Sequence, residues 1–122
     1  MTGAEQRVLA ALGRALGKSG RGRTVVVCGG PMAGRVGIVL ARRGWRVRMQ
    51  ADTADTLADI ERLKPQAVDM QLSLRPFATA AAAALLVEAG CATAATAPAG
   101  VPTFVINADG SVGTADENQC RH

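Results

Sequence analysis

Residues Thr24–Gln50 constrain the fold more than any other stretch, because they spell a strand, a glycine-rich turn, a helix and a second strand in a span that suits a parallel crossover. Thr24-Val25-Val26-Val27-Cys28 is a β-branched run of the kind found in strands covered on both faces. Gly29-Gly30-Pro31 ends it, and Pro31 suits the first position of a helix, where its missing N–H has no bond to lose. Ala33, Val36, Gly37, Val39 and Leu40 recur at helical spacing, with Arg35, Arg42 and Arg43 on the polar side and Gly44 placed to stop the helix. Trp45–Gln50 then alternates apolar and basic residues, as a strand does.

The rest of the chain extends this α/β pattern. Val8, Leu9, Leu12 and Leu16 give the segment Glu5–Leu16 an apolar helical stripe, and Lys18–Arg23 is a basic linker into the first strand. Asp52 or Thr53 can cap a second helix over Ala54–Leu63, with Leu57, Ile60 and Leu63 inward and Pro65 beyond its end. Ala67–Leu74 reads as a third strand, Phe77–Ala89 as an alanine-rich third helix ended by Gly90, and Cys91–Gly100 as a loop. Val101–Asn107 is a fourth strand, and the turn signal Ala108–Ser111 allows Ser111–Thr114 to fold back as a short hairpin strand. The expected architecture is a three-layer α/β sandwich with a mostly parallel sheet of four to five strands in flavodoxin-like order, preceded by a helix. Residues 1–22 form the helix and linker, 23–110 the α/β domain and 111–122 a short hairpin or polar tail.

Composition narrows the function classes. With 122 residues there is room for one core, and with no Tyr, one Trp and two Phe it must be built from Val, Leu and Ala. No apolar run is long enough to span a bilayer and no signal-peptide pattern opens the chain, so a cytoplasmic protein without membrane contact is expected. The three cysteines, Cys28, Cys91 and Cys120, fit neither a disulfide framework nor a metal site. The net charge of +4 hides ten Lys/Arg against Glu5 alone in residues 1–48, followed by an acidic remainder. Such a half could meet nucleic acid, but solvated arginines paired with the acidic second helix are the favoured account. No catalytic constellation is present, and neither an enzyme nor a bound metal or cofactor is expected.

The order and spacing from Arg23 to Ala108 resemble the receiver domain of bacterial response regulators. The resemblance sets Cys28 and Gly29 where that family has its magnesium-binding acids, Gln71 where it has the phosphoacceptor aspartate and Asn107 where it has a hydroxyl residue. Gln71 is no carboxylate nucleophile and the glycines offer no ligand to a hard cation, so the resemblance implies an atypical receiver-like module that signals through protein contact without phosphotransfer. Trp45–Leu74 is also similar to cobalamin-binding domains, although the loop carrying their ligating histidine has no counterpart between Cys28 and Gly37. The only histidine, His122, is the terminal residue. The opening unit further resembles Rossmann nucleotide-binding halves. Gly29 and Gly34 match the outer glycines of their fingerprint, Pro31 stands in place of the middle one, and Gln50 lies near the position of the ribose-binding acid.

The last two resemblances make Gly29, Gly30, Pro31 and Gly34 the candidate turn for a nucleotide or corrinoid, as the alternative to a protein-contact module. A homodimer is expected as well. The apolar strand centred on Phe104, Val105 and Ile106 would leave an unpaired edge unless Ser111–Thr114 covers it, and Leu12 lies in a helix stripe that needs a surface to cover.

Overall fold

A computed structural model describes residues 22–87, 101–106 and 112–114, together with positions 3, 6, 7, 10, 13 and 14. Those six positions are helical, while Leu12 and the apolar stripe expected around it lie outside the described residues. The elements are β1 (Thr24–Gly29), α1 (Pro31–Arg42), β2 (Arg46–Ala51), α2 (Ala54–Leu63), β3 (Met70–Ser73), β4 (Ala83–Val87), β5 (Thr103–Ile106) and β6 (Val112–Thr114). They make one sheet in the order β3-β2-β1-β4-β5-β6, in which the first five strands are parallel and β6 runs antiparallel to β5.

Strand β1 is central, paired with β2 on one side and β4 on the other. Its valines alternate between faces. Val25 and Val27 join the large core with Val36, Leu40, Val47, Met49, Ile60, Leu85, Val87 and Ile106, whereas Val26 and Cys28 join Ala84 and Leu86 on the opposite face. α1 and α2 lie on the first face. At their contact, a Cβ placed on Gly34 of α1 would stand 2.5 Å from Ile60 Cγ1 of α2, so the absence of a side chain sets how closely the helices approach. Gly37, one turn on, sits against Val47 and Met70 in the same way.

Helix termini follow local chemistry. α1 starts with Pro31 after Gly30 and ends with Gly44 at φ 97°. There the Gly44 N–H donates to the Ala41 carbonyl and the Trp45 N–H to the Leu40 carbonyl, the paired bonds of a Schellman motif. Trp45 and Leu40 are both in the core, which supplies the apolar contact that accompanies such an ending. α2 is capped by Thr53, whose Oγ1 accepts the Thr56 N–H at 3.1 Å, and Asp55 adds an acid in the first turn. Ile60 is buried and Leu57 half-buried, but Leu63, expected inward, is 66% exposed in the last turn.

Three expectations are corrected. The alanine-rich segment expected as a third helix contains strand β4, buried along its whole length between β1 and β5. Ala and Leu favour helix locally, but a five-residue apolar run covered on both faces has no period to distinguish the two, and two-sided pairing overrides propensity. The expected third strand is shorter than Ala67–Leu74, and it lies outside β2 at the sheet edge rather than beside β1 as a flavodoxin-like order requires. The edge of β5 is not free either: β6 pairs with it through Phe104↔Thr114, Val105↔Gly113 and Ile106↔Val112. Ile106 belongs to the core, with Phe104 and Val105 half-buried, so these three do not form an open dimer edge.

Gly34→Ala should lower stability by about 1–3 kcal/mol, because the new methyl must displace the buried Ile60 side chain. Urea unfolding followed by circular dichroism measures it, and a paired Gly34→Ala, Ile60→Val variant should recover part of the loss.

Candidate functional site

The chain runs from β1 to β2 and β3 on one side, then crosses to β4 and β5 on the other, so the sheet reverses direction between β1 and β4. In open parallel sheets the crevice for a ligand forms at such a reversal, beyond the carboxyl ends of the strands. Here that point is Gly29-Gly30-Pro31. Gly29 has φ 144°, and a Cβ on it would fall 2.2 Å from the Val87 carbonyl oxygen, so β1 and β4 can converge only because the residue is glycine.

Gly30 differs. Its φ is −94°, which any residue adopts, and the nearest atom to an added Cβ is Asp52 Oδ2 at 3.2 Å, the mobile end of an exposed side chain. The fold does not require glycine there, and its bare backbone leaves an open approach to the start of α1. No side chain caps that start, and the first turn carries no acid. With Pro31 at the first position, the Met32 and Ala33 N–H groups remain as outward donors, since the Gly34 N–H already bonds to the Gly30 carbonyl at 3.2 Å. Helix starts of this kind favour anions.

Asp52 completes the arrangement. Its N–H donates to the Gly29 carbonyl at 3.0 Å, tying the end of β2 to the end of β1 and holding the carboxylate beside Gly30. Sequence reasoning offers Asp52 or Thr53 as the helix cap and looks to Gln50 for the acid at the end of β2. The strand runs one residue further, through Ala51, and Thr53 takes the capping role, which leaves Asp52 as the first residue past the strand. Its place 23 residues after Gly29 is the signal that could have found it.

The residues set together by the receiver resemblance do not meet. Cys28 and Gly29 end β1, but Gln71 is exposed on β3 in register with Arg48, with all of β2 between it and β1. Asn107 lies outside the described residues. On the face where Cys28 lies, β2 carries Arg46, Arg48 and Gln50 and β3 carries Gln71 and Ser73, and the arginines of β2 pair with Asp69, the residue just before β3, Arg48 Nη1 at 2.8 Å and Arg46 Nε at 3.9 Å. These are arginines of the second strand; the expected pairing of helix and turn arginines with the acidic α2 is not among the ion pairs of the described residues. Among those residues no group of three or more His, Cys, Asp or Glu is placed to hold a metal, and no helix is long and apolar enough to cross a membrane.

No protein-family model matches the chain and no curated protein matches it.

Cys28 is buried, with its Sγ 3.6 Å from Gln50 Oε1, and burial pushes its thiol from 9.0 up to about 11. It is a neutral packing group rather than a nucleophile. Below pH 9.0 folded and unfolded chains both hold this proton. Between there and about 11 the unfolded chain loses it while the folded one keeps it, so stability falls as pH rises. The slope assigned to this group is at most about 1.4 kcal/mol per pH unit. Cys28→Ala should remove that component from the alkaline stability profile, and in a Cys91→Ser, Cys120→Ser background the folded protein should resist iodoacetamide until denatured.

Proposed function

We propose that this chain is a nucleotide-binding domain of Rossmann type, taking the adenosine–diphosphate part of a dinucleotide over the Gly29–Gly30–Pro31 turn. One observation carries the reading: the strand order reverses at β1 and β4, and the glycine turn, the uncapped start of α1 and the Asp52 carboxylate all gather at that reversal. The diphosphate sits at the Met32 and Ala33 N–H groups, approaching over Gly30 because Pro31 supplies neither a donor nor space. Asp52 accepts hydrogen bonds from the ribose hydroxyls, a charge-assisted contact that anchors the adenosine end. On this reading the domain is a ligand-binding module.

A protein-contact module without a ligand is the second reading, and the exposed Leu63 and Leu74 near edge strand β3 favour it. Calorimetric titration separates the two. NADH and ADP should bind and raise the melting temperature, while Asp52→Ala should weaken binding about tenfold or more, the loss of about 1.5–3 kcal/mol expected for a hydrogen bond to a charged group. Gly30→Val should abolish binding yet leave a folded protein, because the added side chain stands in the ligand approach and its Cβ meets only the Asp52 side chain within 4 Å. If neither NADH, ADP nor ATP produces heat or a thermal shift, the nucleotide reading is overturned and the protein-contact reading stands.

A further inference from the structure

The two edges of the sheet are treated differently by the fold. β5 is covered by β6, but β3 ends the sheet with no strand beyond it among the described residues. In the β2–β3 ladder the Asp69 carbonyl accepts from the Val47 N–H, so Asp69, Gln71 and Ser73 direct their backbone groups to β2. Met70 and Leu72 direct theirs outward. Both Met70 groups are already used, the carbonyl by Lys64 Nζ at 3.0 Å and the N–H by the Val68 carbonyl at 3.1 Å, which leaves Leu72 as the unpaired residue of this edge among the described residues. Neither a charged residue nor a proline interrupts Met70–Ser73, and the two exposed large apolar residues of the described chain, Leu63 and Leu74, lie just before and just after this region in sequence.

The sequence about Leu72 is a palindrome in chemical character: Val68-Asp69-Met70-Gln71-Leu72-Ser73-Leu74-Arg75-Pro76. Folded about its centre it sets apolar Met70 against Leu74, polar Gln71 against Ser73 and acidic Asp69 against basic Arg75. A two-fold axis imposes this correspondence, since residue i of one copy then faces residue j of the other and j faces i. We infer that β3 pairs antiparallel with β3 of a second copy of this chain, with Leu72 facing Leu72 on the two-fold axis, to make one continuous twelve-stranded sheet from two six-stranded ones. In that register the outward N–H and C=O of each Leu72 bond to their counterparts, and Leu72 and Leu74 form the apolar side of the seam with Met70. Gln71 and Ser73 form the polar side, and Arg75 of each copy approaches the Asp69 carboxylate of the other, whose first partner is Arg48. A slip of one residue would set apolar side chains against polar ones along the whole seam, so the pattern selects a single register.

Sedimentation equilibrium of the full chain from micromolar to submillimolar concentration should give twice the chain mass of 12.5 kDa. Leu74→Lys, at an exposed position that the core does not use, should raise the dimer dissociation constant at least tenfold without lowering the melting temperature. Register is read by cysteine pairs in a Cys91→Ser, Cys120→Ser background. A mixture of Gln71→Cys and Ser73→Cys chains should form a disulfide-linked heterodimer under mild oxidation, and Gln71→Cys chains alone should not. A monomeric mass across the range overturns the inference, as does a dimer that survives Leu74→Lys and gives no mixed disulfide.

Discussion

Strand β1 is bonded on both sides and covered on both faces, and its closeness to β4 is the constraint on which the other elements depend. The convergence of Gly29 with the Val87 carbonyl leaves no room for a side chain. It draws together the two strands between which the sheet reverses, and so fixes where the turn after β1 must emerge. From that turn α1 has one course, back across the face that carries Val25 and Val27, and its own glycines set its height. Gly37 lets it settle on Val47 and Met70, and Gly34 lets α2 come alongside through Ile60. A core with few aromatics can work in this way because close approach of backbones replaces bulk: small side chains lose less in dispersion when the elements that bear them sit nearer together.

What the sequence made legible is what local chemistry decides. Thr53 and Pro65 bracket α2, Pro31 and Gly44 bracket α1, and the β-branched run of β1 admits only one element type. Strand β4 was hidden because nothing local marks it. Ala83-Ala84-Leu85-Leu86-Val87 follows an alanine run and would serve equally in a helix, and its strand character comes from β1 and β5 on either side, which no window of neighbouring residues contains. Missing that strand also misplaced β3, because without β4 the only partner left for the free side of β1 is the third strand.

The candidate site was half legible for the same reason. Its glycines and its helix start are contiguous and could be read as a turn, but the role of Asp52 depends on β2 extending through Ala51 and on a backbone bond from Asp52 to Gly29. The set of Cys28, Gln71 and Asn107 rested on strand order alone, and strand order is the property a linear pattern specifies least. One exchange in order moves Gln71 from beside β1 to the far side of β2.

The edges of the sheet follow from the same asymmetry. β3 lies on one flank of the sheet and β5 toward the other, where β6 covers it with three residues of antiparallel pairing. At the first flank, among the described residues, Lys64 Nζ takes the Met70 carbonyl and the Val68 carbonyl takes the Met70 N–H, with Leu72 left outward beyond them. Arg46 and Arg48 keep one face of that flank polar, so it needs no further layer there, while Leu63 and Leu74 remain exposed nearby. An edge polar on one face and apolar on the other, with the Leu72 backbone unpaired among the described residues, is matched by a strand of the same pattern running the opposite way, which is why the inferred partner is β3 of a second copy.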